Sequence, residues 1–134
     1  MSADYFPSTV AVVGAGNMGA GIAQKIAQEG FTVLLADLDL DRASAGVERI
    51  RLSLAQAVER KIMRAEQADA VLGRVTPVGT HAGLADADLV IEAVFENLLV
   101  KKELFRSLDT HCKPGCVLAT NTSSFYVAEL AGVT

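Results

Sequence analysis

The sequence Gly14-Ala15-Gly16-Asn17-Met18-Gly19 joins a predicted strand to a predicted helix, and this position makes it the most informative part of the chain. Thr9–Val13 before it is a short β-branched apolar run, typical of a buried parallel strand. Residues 17–28 after it repeat apolar side chains at a helical spacing, and Gly30 marks the end of that helix. The G-x-G-x-x-G spacing in a strand-to-helix turn predicts a dinucleotide-binding site.

Each glycine of this turn is expected to have a different task. Gly14 permits the tight turn, Gly16 lets a pyrophosphate approach the backbone, and Gly19 lets the helix pack close to the sheet. The helix N-terminus at Asn17 and Met18 then offers N–H groups and a partial positive charge to the phosphates. The alternative is a glycine-rich turn that binds nothing.

An acidic residue ends the next predicted strand. Thr32–Ala36 is a second apolar run, and Asp37 follows it, roughly 20 residues beyond the turn, where the dinucleotide fingerprint expects a carboxylate. That carboxylate can accept both hydroxyls of an adenosine ribose and would repel a 2′-phosphate, so the sequence predicts NAD rather than NADP. Asp39 adds to the repulsion. The alternative for Asp37 is a helix N-cap, a task that Asp39 or Asp41 could also take.

Length and composition predict one domain over residues 1–134, and a hydrophobic fraction of 51% excludes a disordered chain. A net charge of −4 without a basic tract argues against a nucleic-acid partner. Residues 1–7 lack the features of a signal peptide, and no apolar run reaches membrane-spanning length, so we expect a cytoplasmic protein without membrane contact. Cys112 and Cys116 match no strong zinc pattern, so we expect two buried reduced thiols and no metal.

Apolar runs alternate with helical patterns along the whole chain. We predict strands at 9–13, 32–36, 75–78, 89–94 and 116–120, and helices at 17–28, 41–63, 65–72, 98–112 and from Ser124 to about 130. This order predicts a Rossmann-type doubly wound parallel sheet in three α/β/α layers. Pro77 places its strand at an edge. Asn97 is the predicted cap of the fourth helix, and Glu92, inside a strand, needs hydrogen-bond partners.

Polar residues follow three of these strands. The carboxyl ends of strands in a doubly wound sheet face the ligand crevice, so Asp37, residues 94–97 and residues 121–123 are expected to converge near the glycine turn. The alternative for Asn121 and Ser123 is turn and cap chemistry.

Three blocks together resemble one family. They are Gly14 to Ala23, then Asp88-Leu89-Val90-Ile91-Glu92-Ala93-Val94-Phe95-Glu96-Asn97-Leu98, then Ala119-Thr120-Asn121-Thr122-Ser123-Ser124. The chain resembles the NAD-binding domain of the L-3-hydroxyacyl-CoA dehydrogenases, 3-hydroxybutyryl-CoA dehydrogenases included. The resemblance implies the cofactor NAD and a reversible oxidation of the 3-hydroxyl of an acyl-CoA to a ketone, in fatty acid or butanoate metabolism.

The resemblance also implies roles for single residues around the cofactor. Glu96 and Lys101 match positions that contact NAD. Ser123 matches the hydroxyl that bonds the substrate oxygen changing between alcohol and ketone, and Asn121 helps to fix the network beside it. Without the resemblance, Glu96 is a solvated carboxylate at a helix start, and Lys101 belongs to an ordinary exposed helix face.

A second region is implied to meet the CoA of an acyl-CoA substrate. Ser53 matches a position in that region, and either Arg60 or Lys61 supplies its cation, since this chain carries both where the family often has a lysine.

Alcohol oxidation by hydride transfer also needs a proton acceptor, usually a histidine near neutral pH. The resemblance implies a histidine in a Gly-Leu-His-Phe-Phe-Asn-Pro-like segment beyond Thr134. The family's last strands and a helical domain that forms homodimers follow there too. His81 and His111 lack the matching neighbours. We therefore expect a truncated domain that binds NAD without useful turnover, with Val117–Thr120 as an open sheet edge. The alternatives are a non-catalytic NAD-binding module and another glycine-fingerprint dehydrogenase of the β-hydroxyacid type.

Overall fold

A computed structural model gives the structure of the chain and describes residues 7–94 and 97–120. The described residues form five strands, four α-helices and one short 3-10 helix. In chain order these are β1 (Thr9–Val13), α1 (Asn17–Gln28), β2 (Thr32–Ala36), α2 (Leu40–Glu59), α3 (Ala65–Gly73), β3 (Val75–Val78), the 3-10 helix (His81–Leu84), β4 (Leu89–Glu92), α4 (Leu98–His111) and β5 (Val117–Thr120).

The five strands make one parallel sheet with the order β3-β2-β1-β4-β5. The predicted doubly wound parallel sheet is confirmed, and β3 lies at an edge as its proline indicated. The strand β5 forms the other edge of the described sheet, where Val117 keeps 45% of its surface exposed. The strand order reverses between β1 and β4, and a ligand crevice forms outside the carboxyl ends of strands at such a point.

Helices cover both faces of the sheet, as predicted. Alternate residues of β1 point to opposite faces, so Val12 packs in the core below α1, α2 and α3, whereas Ala11 and Val13 pack in the core on the other face. Ile50 of α2 belongs to the first core and Leu108 of α4 to the second. The result is a three-layer α/β/α domain.

The helix α2 ends earlier than the predicted residue 63. Lys61 adopts a left-handed backbone with φ +60°, which a helix cannot continue. The N–H of Ile62 then donates to the carbonyl of Ala57 at 2.9 Å, and the N–H of Lys61 to that of Val58 at 3.0 Å. This turn takes Ile62 out of the predicted helix, and 74% of Ile62 is exposed.

The strand β4 is also shorter than the predicted 89–94. The carboxylate of Glu92 accepts the N–H of Val94 at 2.7 Å, so a side chain of the strand itself takes the hydrogen that a further sheet bond would need. The side chain therefore ends the strand that carries it, and the chain is free to turn at the carboxyl edge.

Asp88 connects three segments at the amino ends of the strands, opposite the carboxyl ends: the starts of β1 and β4 and the turn before β5. Its Oδ2 atom accepts the backbone N–H groups of Ser8 and Thr9 at 3.0 Å each, and its Oδ1 atom accepts from the ammonium of Lys113. These donors hold the pKa of Asp88 well below its ordinary value. The beginnings of β1 and β4 are thereby tied to the turn that precedes β5.

Cys112 and Cys116 are free thiols, as predicted, but they are half-buried rather than buried. Burial raises the pKa of Cys112 to about 11. Over residues 7–94 and 97–120, no group of three or more metal-ligating side chains is found. No helix in the same ranges is long and apolar enough to cross a membrane.

Candidate dinucleotide-binding site

The glycine turn lies at the carboxyl edge of the sheet, beside the point where the strand order reverses. The N–H of Gly14 donates to the carbonyl of Ala36 in β2 at 2.8 Å, and the carbonyl of Val13 accepts the N–H of Ala93 at 2.8 Å. The turn is therefore held between the ends of β2 and β4. Gly14 and Ala15 are buried, the next three residues, Gly16 to Met18, are exposed, and Gly19 is buried again.

Two of the three glycines are required by the fold itself. Gly14 has φ +109°, and a Cβ on it would lie 2.6 Å from the carbonyl oxygen of Ala93. A Cβ on Gly19 would lie 1.5 Å from the carbonyl oxygen of Gly14, so α1 can approach the turn only with hydrogen at this position. The structural roles predicted for these two residues are confirmed.

Gly16 is different, because the fold does not require it. Its φ is −73°, which any residue can adopt, and a Cβ on it would meet nothing within 4 Å. It occupies the N-cap of α1, and the first turn of that helix, which begins with Asn17 and Met18, holds no acidic residue. An open space therefore faces a helix N-terminus whose partial positive charge no neighbouring carboxylate in that turn offsets.

Asp37 braces the turn from the end of β2. Its Oδ2 atom accepts the N–H of Ala15 at 2.8 Å, and its Oδ1 atom accepts the N–H of Leu38 at 2.7 Å. The alternative role of helix cap falls to Asp39, whose side chain accepts the N–H of Arg42 at 2.8 Å. Each carboxylate oxygen has a second lone pair, so Asp37 keeps acceptor capacity for ribose hydroxyls beside the turn.

The helix α2 packs directly on the turn, a contact that we did not predict. A Cβ on Gly46 would lie 2.6 Å from the Cβ of Ala15, so a glycine is needed for this approach. Nearly one helical turn later, Arg49 Nη1 donates to the carbonyl of Ala15 at 3.0 Å. A glycine inside an amphipathic helix was the available signal for close packing, since it costs about 1 kcal/mol relative to alanine. Nothing in the sequence distinguishes Arg49 from the other cations of α2.

A buried ion pair lies at the end of β4, across from the glycine turn, where the strand order reverses between β1 and β4. Lys101 Nζ lies 3.1 Å from Glu92 Oε1, and the side chains of Lys101 and Glu92 are 1% and 0% exposed. The hydroxyl of Thr120 in β5 donates to the same carboxylate. The expectation that Glu92 makes structural hydrogen bonds is confirmed, whereas the interpretation of Lys101 as part of an exposed helix face is wrong. The helix α4 turns this lysine inward because Leu104 and Leu108, on the same helix face, pack in the core against the sheet.

Several predicted site residues lie outside the described residues. These are Glu96, Asn121 and Ser123, together with the predicted cap at Ser124. The neighbouring prediction for Asn97 is confirmed, because its side chain caps α4 by accepting the N–H of Val100 at 3.1 Å.

The residues matched to the CoA region lie along α2, away from the sheet. Ser53 lies in α2 and Arg60 is the C-cap that follows the helix; both are exposed, and a separation of seven residues, about two helical turns, puts them on the same side. Lys61 lies beyond the helix end and lines an open cleft of about 470 Å³ with Val58 and Met63. Arg60 and Lys61 are adjacent in sequence, but Arg60 has a negative φ and Lys61 a positive one, so their side chains leave the backbone in different directions.

The two histidines form a cluster of their own. His81 Nδ1 lies 2.6 Å from the Ser107 hydroxyl, and the rings of His81 and His111 are 6.4 Å apart. Burial, with the nearby His111, lowers the pKa of His81. The helix α4 begins at the carboxyl edge and ends at His111, next to the turn that starts β5, so His111 lies at the edge opposite the glycine turn.

The fold and the glycine turn define a class: a Rossmann-type domain with its dinucleotide crevice between β1 and β4. The family model described as "3-hydroxyacyl-CoA dehydrogenase, NAD binding domain" matches residues 9–134. The chain belongs to this family, and the cofactor of the family domain is NAD.

Relatives and solved structures agree with this placement. The chain is 40% identical over 125 residues to a probable 3-hydroxybutyryl-CoA dehydrogenase of Bacillus subtilis, covering 93% of this chain and 44% of that protein. It is 44% identical over 123 residues to a 3-hydroxyadipyl-CoA dehydrogenase of Escherichia coli, covering 92% of this chain and 26% of that protein. The crystal structure of FadB2 from M. tuberculosis superposes with a TM-score of 0.91 at 39% identity, covering 97% of this chain and 46% of that one. The chain therefore spans less than half the length of each of these proteins.

Proposed function

We propose that this chain binds NAD at the glycine turn and forms the cofactor half of an oxidoreductase that interconverts L-3-hydroxyacyl-CoA and 3-oxoacyl-CoA. The observation that carries the proposal is the empty space at Gly16. The fold needs Gly14 and Gly19 but not Gly16, so the missing side chain at Gly16 serves something other than packing. A pyrophosphate at the N-terminus of α1 fits both the space and the partial charge.

The adenosine end of the cofactor is also assigned to the carboxyl ends of the strands, next to Asp37. Asp37 takes the ribose hydroxyls of the adenosine, and its charge excludes a 2′-phosphate. NAD accepts or returns the hydride when it is bound. We also propose the cofactor contacts of Lys101 and Glu96 that the family resemblance implies, with Glu92 holding the ammonium of Lys101 near the carboxyl end of β4.

The substrate chemistry is proposed for the segment that follows β5. Ser123 donates a hydrogen bond to the oxygen that changes between alcohol and ketone, and Asn121 orients the network beside it. Thr120 directly precedes this segment and is tied to Glu92, so the end of β5 is fixed from the same buried carboxylate that holds Lys101. This link supports the proposal that cofactor and substrate bind next to each other at the carboxyl ends of β4 and β5.

For the CoA group, we propose Arg60 rather than Lys61 as the cation beside Ser53. Arg60 is the C-cap directly after α2 and keeps a negative φ, about two helical turns from Ser53, whereas Lys61 has the left-handed backbone and lines the open cleft. The cytoplasmic location, the single domain over residues 1–134 and a homodimer formed through a further domain stay predictions.

Turnover is expected to need more than this chain. A positioned acid or base contributes typically about 10²–10⁴-fold to a rate. His111 lies at the opposite edge, and His81 is engaged with Ser107, so neither supports the role of proton acceptor for Ser123. We therefore propose that the chain binds NADH but does not oxidise 3-hydroxybutyryl-CoA at a useful rate, as an assay of NADH absorbance would report.

The test of the proposal compares two glycines of one helix region. Gly16→Val fills the proposed pyrophosphate space, whereas Gly21→Val adds the same side chain to α1, where a Cβ likewise meets nothing within 4 Å. NADH fluorescence titration should show binding lost, by at least about tenfold in Kd, only in Gly16→Val. Circular dichroism should show both variants folded. Unchanged binding by a folded Gly16→Val variant would make the turn purely structural and overturn the proposal.

A further inference from the structure

The second residue of the glycine turn, Ala15, is held by two side chains from outside the turn. Ala15 is buried, with 1% of its surface exposed. Its N–H donates to Asp37 Oδ2 at 2.8 Å, and its carbonyl accepts from Arg49 Nη1 at 3.0 Å. The two polar groups of Ala15 belong to two successive peptide units, so Asp37 and Arg49 each fix the orientation of one of them.

The first peptide unit shows what such a contact does. In a trans peptide the C=O and N–H groups point in opposite directions, and no cis peptide occurs in the described residues. Because Asp37 holds the N–H of Ala15, the carbonyl of Gly14 in the same unit must point the other way. It does so against Gly19, where a Cβ would lie 1.5 Å from that oxygen.

The same geometry applies to the second unit, between Ala15 and Gly16. Arg49 holds the carbonyl of Ala15 toward α2, so the N–H of Gly16 points away from α2. Gly16 has no side chain, and its surroundings are open, so packing of its own does little to prevent this unit from rotating. Rotation would turn a carbonyl oxygen, the negative end of the peptide dipole, toward the side where phosphates are proposed to bind.

We propose that Arg49 is a positioning residue for the dinucleotide turn: its guanidinium locks the Ala15–Gly16 peptide with the N–H facing the pyrophosphate side. The inference deepens the proposed function and rests on it. Arg49 can reach Ala15 because Gly46, three residues earlier on the same helix face, allows α2 to approach the turn.

The other arginines of α2 have different partners. Arg42 lies 3.8 Å from Asp39, and Arg51 hydrogen-bonds to Glu48 on its own helix. Arg49 is the one of the three that reaches the turn. Its planar guanidinium makes a charge-assisted hydrogen bond with one N–H and keeps further donors for solvent or ligand.

The experiment uses the whole chain, labelled with ¹⁵N, and three variants. Arg49→Met removes the donors but keeps much of the apolar length, Arg49→Lys keeps a charge and a donor, and Arg51→Met is the matched control. Without nucleotide, the amide resonance of Gly16 should shift or broaden in Arg49→Met and stay unchanged in Arg51→Met. The Kd for NADH should rise about three- to tenfold in Arg49→Met, as the loss of one hydrogen bond predicts, with part of the affinity restored in Arg49→Lys.

Two results would overturn the inference. One is a Gly16 amide resonance in Arg49→Met that coincides with that of the unmodified chain, because the peptide would then keep its orientation without Arg49. The other is an unchanged Kd for NADH in Arg49→Met. If the unmodified chain binds no NADH, the proposed function is overturned instead. The comparison of Gly16 amide resonances is made without nucleotide, so it would still test whether Arg49 fixes the Ala15–Gly16 peptide.

Discussion

The two sides of the crevice are built in contrasting ways. After β1, the turn from Gly14 to Gly19 is made of backbone and small residues, and its open part faces a helix N-terminus. After β4, the edge is made of the buried pair of Glu92 and Lys101, joined by the hydroxyl of Thr120. Both regions lie in one row of the sheet, since Val13 of β1 pairs with Glu92 of β4.

The difference suggests two tasks: the region after β1 is suited to bind an anion, and the region after β4 is suited to hold the ends of β4 and β5 in place. The first turn of α1 holds no acidic residue, so an anion bound there can offset the partial positive charge of the helix end. In the second region, the carboxylate and the ammonium already neutralise each other, and their hydrogen bonds connect β4, α4 and β5. We therefore expect changes after β1 to act mainly on nucleotide binding and changes after β4 to act first on stability.

The largest effect is expected from breaking the buried pair. Lys101→Met leaves the buried carboxyl group of Glu92 without its cation, and breaking a buried pair in this way typically costs about 3–5 kcal/mol in the free energy of unfolding. The matched control is Lys25→Met, which removes one partner of the exposed pair between Lys25 and Glu29 and should cost less than about 1 kcal/mol. Urea unfolding followed by circular dichroism measures both. Equal losses in the two variants would mean that the buried pair contributes no more than a surface pair.

The next effect distinguishes two glycines within α1. Gly19→Ala forces a methyl group onto the carbonyl of Gly14 and should destabilise the domain by the upper part of the usual range for overpacking, about 1–3 kcal/mol. Gly21→Ala adds a methyl group in open space on the same helix and should stabilise it by about 0.5–1 kcal/mol. Thermal unfolding compares them. A stable Gly19→Ala variant would contradict the account of how α1 docks on the turn.

A smaller effect is expected at Asp37, where the charge and not the packing is changed. Asp37→Asn keeps an oxygen that can accept the N–H of Ala15, but it removes the negative charge beside the ribose. The preference for NADH over NADPH should fall by at least about tenfold, since hydrogen bonds to charged groups contribute about 1.5–3 kcal/mol. Calorimetric titration with both nucleotides measures the ratio, with Asp41→Asn, which removes a charge in the first turn of α2, as the control. An unchanged ratio in Asp37→Asn would remove Asp37 from the determinants of selectivity.

The contrast between the two regions also explains what the sequence could predict. Glycines at a fixed spacing between a strand and a helix restrict the backbone locally, so the turn, β1, β2 and α1 were predicted with the bounds that the structure shows. Lys101 was misjudged because its residue type was given more weight than its position: its spacing from Leu104 and Leu108 puts it on the buried face of α4, but a lysine side chain is rarely buried without a partner, and its partner Glu92 lies on another element.

Other features depend on contacts between distant residues and left no local pattern. Arg49 meets Ala15 across 34 residues, and it is one of several cations on an amphipathic helix. The end of α2 at Lys61 was missed because glycine is the usual residue at such a left-handed position and lysine gives no signal there. The roles of Asn121 and Ser123 rest on the family resemblance, and these residues lie outside the described part of the chain.

The central claim is that the glycine turn is the nucleotide site, and the most direct measurement is an NADH titration of the ¹⁵N-labelled chain followed by amide chemical shifts. The account predicts saturable shifts for Gly16, Asn17 and Met18 and for the backbone next to Asp37. Amides at the histidine cluster, near Ser107 and His111, should not move. An absence of saturable shifts at the turn, or shifts centred on the histidine cluster, would contradict the claim.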